Sequence, residues 1–213
     1  MSLLLAGNLS SCQIVIGVLQ MAQGFPKTTC DFTKMTKRSL AEKEKKVIVL
    51  STSTAQAQSE QPSLDIDVIA EVSRRLKNEN INVIADNKVA DWIDDHGGVT
   101  EKTDLTEIGR KFRADFIVLF SFDDFGYREE NSPGLYRGHA ACKVVVVEMV
   151  GSKASVGTKS AKLVYSKPFN SKFPNQPISA EREGPDVFRQ RYIGHLSQEL
   201  VRLFVDYRPE DEI

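Results

Sequence analysis

The period of apolar positions changes several times along the chain, and each change predicts an element. Val47-Ile48-Val49-Leu50 is a continuous, mostly β-branched run, as expected of a strand buried on both faces. Ser51 to Ser63 is polar and reads as a long loop. Ile69, Val72 and Leu76 then recur at three- and four-residue spacing, with Arg74, Arg75 and Lys77 opposite them or in the last turn, which predicts an amphipathic helix. Ile81-Asn82-Val83-Ile84 is a second short strand, so strand, helix and strand make a βαβ unit with parallel strands. Asp86 opens a short helix carrying Val89, Trp92 and Ile93 and ended by Gly97-Gly98. Asp104 opens another, with Glu107 at capping-box distance and Leu105, Ile108 and Phe112 on one face.

Alternation dominates the second half of the chain. From Asp115 to Phe122 a central strand places Phe116, Val118, Phe120 and Phe122 on one face and Ile117 and Leu119 on the other. Asp123 to Gly138 is polar and reads as a loop, Ala140 to Val150 as a second central strand, and Ala161, Leu163 and Tyr165 as one face of a more exposed strand ending at Pro168. Pro185 sits at a first helical position, and Phe188, Tyr192, Leu196, Leu200, Leu203 and Tyr207 line a long closing helix. The predicted order is β-α-β-α-α-β-β-β-α: a single α/β domain with one mixed sheet of about five strands and helices packed on it.

At 213 residues the chain suits one domain. With 28 Lys+Arg against 29 Asp+Glu it has no field that attracts a phosphate backbone, which excludes nucleic acid as the expected partner. The three cysteines, Cys12, Cys30 and Cys142, lack metal-ligand spacing, and no glycine-rich phosphate loop or dinucleotide fingerprint is present, so no cofactor and no metal are expected.

Leu3 to Cys12 is a short apolar stretch that closes on small residues before a cysteine, and Leu9-Ser10-Ser11-Cys12 resembles the lipobox of bacterial lipoproteins. The resemblance implies that Cys12 is lipidated and becomes the mature N-terminus. The competing reading of these residues is an ordinary buried apolar element with a packed thiol. The resulting organisation is a signal remnant over residues 1–12, an apolar segment and flexible tether over 13–45, the α/β domain over 46–207 and an acidic tail over 208–213.

Taken together, Leu-Ser-Ser-Cys, the tether, Val47 to Leu50, Ile81 to Ile84 and Ala114-Asp115-Phe116-Ile117-Val118-Leu119 resemble envelope lipoproteins of the curli-secretion type and the N-terminal domain of the Tol propeller protein. The stretch from Glu129-Glu130-Asn131-Ser132 to Leu135-Tyr136-Arg137-Gly138 is similar to predicted lipoproteins of planctomycete-type bacteria. These resemblances imply a non-enzymatic domain facing the periplasm, held to the membrane by a lipid anchor and binding an envelope protein. The oligomeric state stays open.

Two sets of residues compete for the site. Tyr127, Leu135, Tyr136 and Arg137 combine aromatics with arginine, the composition enriched at interface centres, and predict a partner-binding loop; the alternative is that the tyrosines fold back over the sheet end. Asp123 and Asp124, at the C-terminal end of a buried strand with Glu129 and Glu130 nearby, would serve a metal-dependent hydrolase or nucleotide-handling enzyme, though the plainer reading is a charged loop. The cluster Asp91, Asp94, Asp95 and His96 reads as a helix end, and Cys142 as a small hydrophobe on a strand face.

Overall fold

The computed structural model describes residues 27–42, 44–95, 98–100, 103–151 and 159–208. Cys12, the apolar segment from Gln13, His96 and the acidic tail beyond Arg208 lie outside the described residues. The elements are α1 (Asp31–Thr36), β1 (Lys46–Ser53), α2 (Ala55–Glu60), α3 (Leu64–Asn78), β2 (Asn82–Val83), α4 (Asp86–Asp95), α5 (Leu105–Phe112), β3 (Phe116–Glu129), β4 (Ser132–Gly151), β5 (Lys159–Ser179) and α6 (Pro185–Arg202). The five strands form one mixed sheet in the order β2-β1-β3-β4-β5. β1 runs parallel to β2 and β3, while β3, β4 and β5 form an antiparallel meander. The predicted fold class and the order of its nine elements are therefore present, with α1 and α2 added.

The period-2 pattern decides which core each residue joins. Val47, Val49, Phe116, Val118, Phe120, Val144 and Val146 point to one face, where α1, α3 and α6 cover them with Phe32, Val68, Val72, Leu76, Phe188, Tyr192, Leu196 and Leu200. Ile48, Leu50, Ile117, Leu119, Val147 and Met149 point to the other face, under Val89 of α4 and Ile108 of α5. Asp104 caps α5 as expected, its Oδ1 accepting the Thr106 amide at 2.8 Å.

Three expectations fail, each for a local reason. The loop expected over Ser51 to Ser63 is the end of β1 followed by α2, whose N-cap Thr54 accepts the Ala57 amide. The loop expected from Asp123 to Gly138 is a continuation of β3 and β4, turned at Asn131, where φ is 57°. Asp123 is an extra residue in β3, since Phe122 pairs with Cys142 and Asp124 with Ala141. This bulge brings Phe122 and Phe125 to the same face and so destroys the alternation that marks a strand. Finally β5 passes through Pro168, which pairs with Lys143. It is an edge strand, where a proline deprives no further strand of a donor. A register shift opposite Val146 and Val147 also turns Tyr165 into the α6 core and leaves Leu163, expected on the same face, 59% exposed.

Residues 27–42, expected as part of the tether, are packed on the domain. Phe32 and Leu40 are fully buried, and Phe32 meets Phe116, Tyr165 and Phe204 with ring centroids 6.1, 5.7 and 5.9 Å away. Thr28 and Tyr207 form an antiparallel bridge that holds the two ends of the described chain together. The Asp31 carboxylate accepts the Tyr165 hydroxyl at 2.7 Å and the Lys167 ammonium at 2.9 Å. The Tyr165 hydrogen bond, with Lys167 adding to it, holds Asp31 below its ordinary carboxylate range despite partial burial. A depressed carboxylate stabilises the fold fully above its unfolded value of 3.8 and loses that contribution as pH falls through the lower folded value. The stability advantage of the wild type over Asp31→Asn should accordingly shrink in that acidic window; a difference unchanged with pH in urea titrations would contradict the assignment.

Candidate functional site

Beyond the Asp123 bulge, the far half of the meander has two unlike faces. Toward α6 it is apolar: Phe125 stacks on Tyr192 at 5.6 Å, and Tyr136 on Phe188 at 5.0 Å. Ser171 of β5 donates its hydroxyl to Glu199 of α6 on this side. On the opposite face the cross-strand rows are Asp124, Ala141, Asn170 and Gly126, His139, Lys172. Lys143, Asn170 and Lys172 are exposed, and Asp124 and His139 half-buried. Asp124, His139, Asn170 and Lys172, with Arg128, Glu129 and Arg137, line an open cleft of about 350 Å³.

The electrostatics of this cleft are paired. His139 Nε2 lies 3.5 Å from Asp124 Oδ2, and Arg137 Nη1 lies 3.6 Å from Glu129 Oε2. The His139 ring lies over the bare backbone of Gly126, where a Cβ would stand 2.5 Å from the imidazole. Side chains of both signs thus stand on three neighbouring strands around this cleft.

The structure separates the four residues predicted to bind a partner. Tyr127 and Tyr136 are buried. The Tyr127 hydroxyl accepts from Arg189 Nη2 at 2.8 Å, and the Arg189 guanidinium sits 4.7 Å from the Tyr127 ring centre. Their aromatic faces are thus occupied by α6, the alternative the sequence left open. Leu135 is half-buried beside Ser179 in the ladder, and Arg137 alone joins the open cleft. Asp123 and Asp124 are likewise divided, Asp123 exposed at the bulge and Asp124 facing His139. Among the described residues no three His, Cys, Asp or Glu side chains converge as metal ligands.

Cys142 is buried on the α6 side of β4, and burial, with the Asp123 charge adding to it, pushes its thiol up to about 12. Cys30 is also buried and free, its Sγ donating to Thr33 Oγ1 at 3.2 Å. Burial thus disfavours the thiolate form of both cysteines.

A second cleft, of about 430 Å³, opens at the C-terminal end of β1 between α3 and α4, with Ile69, Val89 and Ile93 on its walls. Its floor holds Asp65, whose two oxygens accept the Ser51 and Ser53 hydroxyls at 2.7 and 2.8 Å. Ile66 stands on its rim, 72% exposed. Open α/β sheets bind ligands at this end of their parallel strands.

No protein-family model and no curated protein matches the sequence. Among solved structures the chain is similar to a PelC dodecamer from Paraburkholderia phytofirmans, at 12% identity and TM-score 0.48 over 85% of this chain and 100% of that one. It is also similar to a hypothetical protein from Chlamydia trachomatis, at 16% identity and TM-score 0.45 over 74% and 91% of the two chains. A third is a lipoprotein from Neisseria meningitidis, at 10% identity and TM-score 0.45 over 73% and 98%. Similarity at this level carries neither family nor function.

Sequence reasoning missed the network joining β5 to α6. Burial alone would raise the Glu199 carboxyl, but hydrogen bonds from His195 and Ser171 outweigh it and hold the group below its ordinary range. The His195 ring in turn stacks on Phe173 at 4.1 Å. The i,i+4 spacing of His195 and Glu199 was visible as a helix-face pair. Ser171 and Phe173 were not, because they lie beyond Pro168, where the strand was expected to stop.

Proposed function

We propose that the protein is an envelope lipoprotein, anchored through Cys12, whose α/β domain faces the periplasm and binds an envelope protein non-enzymatically. The open polar half of the sheet carries the binding part of this reading: Arg128, Arg137, His139, Asp124 and Lys172 stand on rigid paired strands, held from behind by α6. The lipobox-like Leu9-Ser10-Ser11-Cys12 supports the anchor. Tyr127 and Tyr136 serve this surface indirectly, by fastening the hairpin to the closing helix.

Anchor and binding face have separate readouts in one experiment. Cys12→Ala, or globomycin treatment, should move the full-length protein from the membrane fraction to the soluble fraction, and unchanged fractionation would exclude the anchor. In the same cells, Arg128→Glu with Lys172→Glu should abolish cross-linking to an envelope protein while leaving fractionation and melting temperature unchanged. Cross-links that survive charge reversal would move the binding surface elsewhere.

A further inference from the structure

The described chain begins beside a concentrated positive charge. Lys27, Arg74, Arg75, Arg202 and Arg208 line one cleft of about 780 Å³ between the C-terminal ends of α3 and α6, against Glu79 and Asp206. Glu71 engages Arg74 at 2.6 Å and Arg75 at 2.7 Å, so among the described residues the local balance is five cations to three acids in a chain whose formal net charge is −1. Asp206 is also committed, its Oδ1 accepting the Cys30 amide at 2.8 Å. Arg74 keeps 57% of its side chain exposed despite its ion pair. Among the described residues the cations therefore outnumber the acids on this surface.

The position of this surface bears on the anchor. The Thr28–Tyr207 bridge fixes the point at which the N-terminal segment reaches the domain, and Lys27 is both the residue before that bridge and part of the cleft lining. Residues 12 and 27 are 15 positions apart, a span of at most about 50 Å fully extended. A domain held at Cys12 presents this corner to the bilayer more readily than the far hairpin.

We propose that the cleft around Lys27, Arg74 and Arg208 is a docking surface for anionic phospholipid headgroups, which orients the domain on the membrane that carries its anchor. The inference rests on the lipoprotein reading of the chain. It goes further in assigning a membrane-facing side, with the polar half of the sheet left free for a protein partner. Each basic residue held near an anionic surface strengthens attachment about fivefold, and the attraction fades within a Debye length as salt rises.

The test uses full-length protein carrying Cys12→Ala, which cannot be acylated, so its outcome is independent of whether the anchor forms. Sedimentation is measured with vesicles of phosphatidylcholine alone and with vesicles containing about 30% phosphatidylglycerol. Binding should appear or rise sharply with phosphatidylglycerol and fall with salt. Lys27→Gln with Arg208→Gln should weaken that increment about 30-fold without changing the melting temperature. Lys88→Gln with Lys111→Gln removes the same charge from α4 and α5, on the other side of the sheet, and should leave it intact. Equal binding to both vesicles, or equal losses in the two double variants, would overturn the proposal. So would full competition by millimolar glycerol phosphate, which would identify a site for small anions rather than a membrane surface.

Discussion

Replacing Phe32 by alanine should lower the unfolding free energy by about 3–5 kcal/mol, the range for truncating a fully buried aromatic side chain. Phe32 has no exposed surface and meets Phe116, Tyr165 and Phe204, joining the N-terminal segment to β3, β5 and the turn after α6. The substitution improves helix propensity within α1, so a loss of stability must come from the vacated core and not from the helix. Met35, on the same short helix but 61% exposed, supplies the control: Met35→Ala should stay within about 0.5 kcal/mol of wild type. Urea denaturation of both variants decides whether residues 27–42 belong to the domain. Equal and negligible effects would return the segment to the tether predicted for it.

That the packing of residues 27–42 was not legible while most of the fold was follows from how much periodicity each element displays. β1 and the first half of β3 announce themselves because several consecutive apolar residues face two cores at once. α6 is legible because its apolar stripe extends over many turns, and α5 because a capping aspartate precedes one. α1 offers a single buried aromatic, Phe32, in six residues among lysines, and one residue has no period. Composition there points to a solvated segment, while tertiary contact with Phe116 and Tyr165 decides otherwise.

The candidate site was partly legible for the same reason. Asp124 and Arg137 stood out as charged residues near a strand end, but their partners depend on pairing across β3 and β4. His139 reaches Asp124 only because the Asp123 bulge sets the register beyond it. Without that register the stretch is a polar loop, and its tyrosines have no assigned side. The same shift that hides the strand carries Phe125 and Tyr127 to the α6 face, where Arg189 covers Tyr127, while Tyr136 keeps the face of Ala140 and Cys142 on β4 and stacks on Phe188. An aromatic and arginine-rich composition is common to interfaces and to hairpin-helix contacts, so composition alone could not separate them.

The far half of the sheet depends on a bare backbone at Gly138, and Gly138→Ala should cost about 2–3 kcal/mol, as overpacking a filled core does. A Cβ at this position would lie 2.3–2.5 Å from three ring carbons of Tyr192, far inside van der Waals contact. The ring has little room to yield, being fully buried and stacked on Phe125. Backbone preference works in the opposite direction, because glycine inside a strand is less favourable than alanine by about 0.5–1 kcal/mol. A measured loss therefore understates the clash. Gly134, on the same strand, has open space within 4 Å of where a Cβ would stand, so it isolates that backbone term, and Gly134→Ala should be neutral or slightly stabilising. The double variant Gly138→Ala with Tyr192→Leu should be less destabilised than the sum of its parts, since the smaller side chain removes the colliding ring. Additive losses, or a neutral Gly138→Ala, would mean that α6 does not press on β4 as described, and the polar face on the other side would lose the support that makes it rigid.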